Sequence, residues 1–177
     1  MQMQTQQESN WCWAAVAVSL HNFLNPNNAS WTQGSLATPV LVGEQEIKKG
    51  VDCSSTPGLC NFPAALHDAL KHTGNLDELL SNTRLGFNSI KQWVNANLPL
   101  GLRIGWPGGG GHFIVIDGFV EYVSGEQVVN VEDPLFGPSS WDYQEILDDY
   151  LGEGGVWTDT YTVKKNNSGP PPAAGGV

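Results

Sequence analysis

The segment WCWAAVAVSLHNFL, residues 11–24, is apolar on nearly every face of a helix. An amphipathic helix can lie on a surface, but a helix of this kind has to be wrapped by other elements. Its boundaries are marked: Ser9 or Asn10 is the expected N-cap, and Asn25-Pro26 ends the helix. At 177 residues the chain can supply the wrapping as one domain, because a domain of this size buries roughly two-thirds of its unfolded surface.

The rest of the chain divides into a helical first half and a strand-rich second half. A second helix is expected from Pro63, where proline suits the first turn, through AALHDALKH to Gly74. A third follows Asn88 as a cap, carries Ile90, Trp93 and Val94 on one side, and stops near Pro99. From Leu100 the pattern changes to short apolar runs: LGLRIGW, HFIVIDGFVEYV, QVVNVED and GVWTDTYTV. Ser124-Gly125 reads as a hairpin turn between two of them, and DYQEILDDYL as a short helix at the sheet's edge. About four antiparallel strands result. Helices followed by strands define an α+β domain over residues 1–165, and NNSGPPPAAGGV, residues 166–177, reads as a disordered Pro/Gly-rich tail.

A formal charge of -10 with eight Lys and Arg argues against nucleic acid or an anionic membrane as partner, and no apolar run reaches the length of a membrane span. The same charge is compatible with a neutral or basic peptide or protein substrate, and a monomeric state is the default expectation. Seven Trp and 21 Gly with 15% charged residues lean toward an exported protein, whose leader is not present in this chain. Of three cysteines, Cys53 and Cys60 flank a Thr-Pro-Gly turn, as a disulfide closing a short loop or as two reduced, buried thiols. Exported composition favours the disulfide. No pair spaced for zinc is present, and neither a metal nor another cofactor is expected.

Cys12 is then the odd thiol, in the first turn of the buried helix, where unpaired N–H groups and the helix dipole favour a thiolate. Taken alone it reads as a small buried hydrophobe. Among four histidines, His21 falls too late in the same helix to reach it, and His67 and His72 have no special setting. His112 opens the most apolar strand, directly after four glycines that are a hinge or simply a loose connection. The next strand ends at Asp133-Pro134, and a hairpin would return that carboxylate to His112 to orient the imidazole. Asp-Pro is also a common turn opener that bonds its own backbone. Asp117, five residues on from His112, faces the other way. Gln6, just before the helix, would place its amide near the Cys12 N–H as a second oxyanion donor.

The set Gln6, Cys12-Trp13-Ala14-Ala15, Gly111-His112-Phe113 and Asp133-Pro134 resembles the papain-like cysteine peptidases. In particular it is similar to the compact bacterial branch that includes secreted effector peptidases of plant pathogens. The resemblance implies two lobes, a helical one with the central buried helix and Cys12, and an antiparallel β-sheet lobe with His112 and Asp133, facing each other across a cleft. It implies Cys12 as nucleophile, His112 as base and acid, Asp133 as orienting residue and Gln6 as oxyanion donor, with Gln7 the neighbour that a one-residue register error would substitute. The implied activity is that of a cysteine endopeptidase working through a thioester. An acyltransferase or glutamine deamidase would use the same residues, and a non-catalytic peptide-binding module would keep the scaffold alone.

Overall fold

In a computed structural model, which describes residues 1–165, the apolar run forms α1 (Cys12–Leu24), with every residue from Cys12 to His21 buried. The Pro/Gly-rich segment expected to be a tail lies outside the described residues. Trp11 stands at the N-cap, and no side chain caps the helix. Ser9 and Asn10, expected there, are drawn instead to Asn61: Asn61 Nδ2 donates to Ser9 Oγ at 2.9 Å, and Asn10 Nδ2 donates to the Asn61 carbonyl at 3.0 Å. The helix start is thus held from outside, by a loop.

Two further helices cover α1. The first, α2 (Gln33–Gly43), was not expected from the sequence; Thr32 and Ser35 form a reciprocal capping box at its start, and it carries Pro39 inside. The second, α3 (Leu66–His72), begins three residues after Pro63, because Pro63–Ala65 stay outside the helix and run along the α1 N-terminus. Near them Cys53 and Cys60 are joined as a disulfide, both fully buried, with a short 3-10 turn at Pro57–Cys60. Replacing both cysteines by alanine is expected to lower unfolding stability by about 2–3 kcal/mol through the lost loop closure, measured by denaturant unfolding of the double variant.

The sheet has six strands where about four were expected. β1 (Leu76–Leu80) and α4 (Phe87–Asn95) precede β2 (Leu100–Gly105), β3 (Gly111–Glu121), β4 (Gln127–Asp133), β5 (Gly137–Asp142), α5 (Tyr143–Asp148) and β6 (Val156–Val163). The order is β1-β6-β2-β3-β4-β5 with every neighbouring pair antiparallel. The additional strands, β1 and β5, are the two edges. α4 takes its cap at Gly86, whose carbonyl accepts from Ile90, so Asn88 lies within its first turn and not before it. α5 packs Ile146 into the core and leans on β4, β5 and β6, across the sheet as much as at its edge.

Alternation along the strands feeds two cores. Phe113, Val115, Tyr161 and Val163 face α1, α2 and α3. Ile114, Ile116, Leu102 and Trp157 face the other way, toward α4 and α5. This gives the α+β architecture a helical lobe carrying Cys12 and a sheet whose β3 and β4 ends carry His112 and Asp133. Among the described residues no helix is long and apolar enough to cross a membrane.

Candidate active site

Two tryptophans flank Cys12 because both hold the loop that forms the facing wall. Trp11 Nε1 donates to the Cys60 carbonyl at 2.7 Å, and Trp13 Nε1 donates to the Phe62 carbonyl at 3.2 Å. Both indoles are fully buried, so each needs an acceptor inside the protein. The disulfide fixes the first of those acceptors in place. The residues just beyond, Pro63 and Ala64, line a cavity of about 370 Å3 together with Cys12, Trp13, Gln6 and His112.

His112 is the second residue of β3, opposite Ile104 of β2, and Asp133 is the last residue of β4. The β3–β4 hairpin brings them together: His112 Nε2 lies 2.9 Å from Asp133 Oδ1. With Nε2 committed to the carboxylate, Nδ1 is the nitrogen left for the thiol. Burial alone would pull the imidazole down. Hydrogen bonds to Asp133 and to Cys12, with the negative charge of both, outweigh it and push the His112 pKa up to about 9. Asp133 is affected oppositely: burial raises it, but the His112 hydrogen bond and charge and the backbone donors hold it below the ordinary carboxylate value.

Asp133 makes both kinds of contact that its sequence allowed. Oδ1 accepts from the Leu135 and Phe136 N–H groups at 2.7 and 3.0 Å, the self-bonded turn of an Asp-Pro opener, while also meeting His112. Its other oxygen, Oδ2, accepts from the Tyr150 hydroxyl at 2.8 Å. Tyr150 is fully buried, and burial followed by the Asp133 charge raises its own pKa, so it remains a donor across the working pH range. Sequence reading missed Tyr150, because nothing local to DDYLGE marks a residue whose partner lies 17 positions earlier on another strand.

Gln6 reaches the same cavity. Its backbone N–H donates to the Pro134 carbonyl at 2.9 Å, tying the segment before α1 to the turn after Asp133. Its side-chain Nε2 donates to the Glu8 and Ser9 carbonyls at 3.0 and 2.9 Å, and its buried Oε1 has no partner. Gln7 is turned away, with its N–H given to Gln33 Oε1. Cys12 adds its own N–H, one of the first-turn donors that have no acceptor within a helix. The remaining histidines have other partners or none of this kind: His21 Nδ1 meets Asn75 Oδ1 at 2.8 Å, His67 pairs with Asp68, and His72 is exposed. Asp117 sits at an irregularity between Ile116 and Gly118 and pairs with the Met1 amine, away from His112.

The arrangement can carry a thiol activated by an imidazole, an imidazole oriented by a buried carboxylate, and N–H donors at a helix start. Residues 1–142 match the family described as papain-like cysteine protease AvrRpt2, a span that includes Gln6, Cys12, His112 and Asp133. Among solved structures, the bromelain protease from Ananas comosus, in complex with an inhibitor, superposes with a TM-score of 0.52 at 10% identity, covering 92% of this chain and 93% of that one. The Pseudomonas avirulence protein AvrPphB gives 0.44 at 13% identity, over 92% of this chain and 97% of that chain. No curated protein matches the sequence. The bromelain likeness bears on the fold alone, the family match on the kind of protein.

Proposed function

This chain belongs to the papain-like cysteine protease AvrRpt2 family and is a cysteine peptidase, and from that premise we propose that it cleaves peptide bonds through Cys12, His112 and Asp133 with a thioester intermediate. The observation that carries the reading is the His112 Nε2–Asp133 Oδ1 hydrogen bond in a cleft that Cys12 also lines. It leaves Nδ1 for the thiol and helps to hold the proton on the imidazole.

The steps follow from that geometry. Cys12 Sγ attacks the peptide carbonyl, and the oxyanion that forms is met by the Cys12 N–H and the Gln6 amide. For Gln6 this means exchanging one of its two carbonyl acceptors, Glu8 or Ser9, for the substrate oxygen; until then those bonds hold the amide at the helix start. His112 gives its proton to the leaving amine, and the C–N bond breaks to leave a thioester on Cys12. His112, now neutral, takes a proton from water, whose oxygen attacks the thioester carbon and returns the thiolate. Asp133 stays ionised throughout and stabilises the imidazolium. The substrate is a peptide or protein, and the Cys53–Cys60 disulfide supports an exported enzyme, because such bonds persist in oxidising compartments.

Mass analysis of products from a peptide library tests the reading. Two fragments, with a transient acyl adduct on Cys12, are the expected result. An intact peptide that gains only the mass difference between amide and acid would make the protein a deamidase. A peptide joined to an added amine would make it a transferase.

A further inference from the structure

Beside the Cys12–His112 cleft lies a second hollow of about 420 Å3 that shares Pro63, Ala64, Gly111 and Phe113 with it. A peptide lying in the cleft therefore has a side-chain site next to the bond being cut. Tyr161 and Phe113, packed edge to face, make an apolar floor, and the hollow's one charged lining residue is Arg103 of β2.

The backbone around Arg103 is shaped to hold its head group. Gly105 and Gly111 are cross-strand partners on β2 and β3. A Cβ at Gly111 would come within 2.8 Å of Arg103 Nη2 and 2.9 Å of Cζ, and one at Gly105 within 3.3 Å of Nη1. Without side chains at both positions, the guanidinium lies against the peptide that leads into His112. Its bonds there go to neutral acceptors, with Nη1 donating to Thr158 Oγ1 at 3.1 Å and Nη2 to the Gly110 carbonyl at 3.2 Å.

No carboxylate of the described residues lies within ion-pair distance of Arg103, whereas Arg84 pairs with Asp148. Asp159, the acid paired with Arg103 across β2 and β6, is linked to it only through a shared hydroxyl: Oδ2 accepts at 2.8 Å from Thr158 Oγ1, the atom that accepts from Arg103 Nη1, and Oδ1 accepts from the Asn82 N–H at 3.0 Å. Glu44, near the opposite wall, accepts from the Ala65 N–H. In a protein of net charge -10, a half-buried guanidinium fixed beside the cleft, with donors to spare and no carboxylate in direct contact, has room for an anion brought by a ligand.

We propose that this hollow is a specificity subsite in which Arg103 pairs with a carboxylate of the bound peptide, so that the enzyme prefers glutamate next to the scissile bond. The apolar floor takes the methylene stem and the guanidinium takes the head, which favours glutamate over the shorter aspartate. The inference rests on the peptidase reading for its consequence in cleavage, but not for binding.

The test has two arms. In the first, N-acetyl-glutamate N-methylamide and its glutamine counterpart are titrated into the 15N-labelled protein. The glutamate probe is expected to shift the Gly110 and Gly111 amides and the Arg103 Nε–H, with no such shifts from the glutamine probe or in Arg103→Gln. In the second, library peptides with Glu, Gln or Lys beside the cleaved bond are compared. The Glu to Gln ratio of kcat/KM is expected to be about tenfold in the wild type, to fall to about one in Arg103→Gln, and to turn toward Lys in Arg103→Glu. Equal shifts from the two probes would overturn the proposal, as would an Arg103→Gln variant that slows all peptides alike and so marks Arg103 as a clasp for the glycine turn. If no peptide is cleaved, the peptidase reading fails, and the probe titration still decides the subsite.

Discussion

Cys12→Ala is expected to lower peptide cleavage by about 10^4- to 10^6-fold, and His112→Ala by a similar factor, with the double variant no worse than either. The non-additivity is the informative part. If the thiolate exists only as half of an ion pair with the imidazolium, removing either partner removes the nucleophile, and the second change has nothing left to take away. Two independent contributions would multiply instead. His112→Ala also takes from the buried Asp133 carboxylate its imidazole partner and so costs stability, and circular dichroism of the variants checks that each is folded at the assay temperature. Alkylation by iodoacetamide gives a second readout on Cys12 alone, because Cys53 and Cys60 are bonded to each other. Labelling of Cys12 should be much slower in His112→Ala than in the wild type at the same pH. Labelling unchanged by His112→Ala would mean that the two groups do not exchange a proton.

What was legible in the sequence was whatever a local pattern writes plainly. α1 could be read because an uninterrupted apolar run ends at Asn25-Pro26, and β3 and β4 because β-branched runs meet at Ser124-Gly125. α2 was not, because Pro39 sits in its middle and its apolar residues favour no face. β1 reads LDELL, a pattern at home on a helix, and becomes a strand only by pairing with β6 from the far end of the chain. β5, GPSSWD, has little strand propensity and is extended by β4 through the tight connection from Asp133 to Gly137. The same division holds in the cleft. His112 and Asp133 could be found because strand ends and a hairpin place them, whereas the Tyr150 hydroxyl reaches Asp133 through packing that no short-range pattern records. The capping expectation at Ser9 and Asn10 failed for the related reason that Asn61, distant in sequence, took those side chains.

Asp133→Asn is expected to move the alkaline limb of kcat/KM down by more than one pH unit and to reduce the plateau by at least about tenfold. In the wild type His112 holds its proton up to about 9, so the form able to protonate the leaving amine persists to that pH and the limb should lie there. The largest influence on the imidazole is burial, which opposes the charge; Asp133 supplies much of what overcomes it, by hydrogen bond and by charge. Asparagine keeps the shape and an accepting oxygen but removes the charge, so the imidazole pKa falls and the limb follows it. Stability should report the same linkage. A histidine raised from 6.5 to about 9 on folding stabilises fully below pH 6.5, and this contribution is lost as pH rises through about 9. Asp133, lowered on folding, stabilises above its ordinary value of 3.8 and loses this as pH falls through its lower folded value. The pair therefore stabilises most between about pH 4 and 6.5 in the wild type, and Asp133→Asn should flatten that maximum in thermal unfolding across pH. Tyr150→Phe separates charge from placement: it leaves the carboxylate ionised beside His112 but strips Oδ2 of its donor. It should cost about 1–3 kcal/mol of stability and lower kcat while leaving the alkaline limb close to 9. A limb that stays near 9 in Asp133→Asn as well would mean that the imidazole owes its proton to something other than this carboxylate.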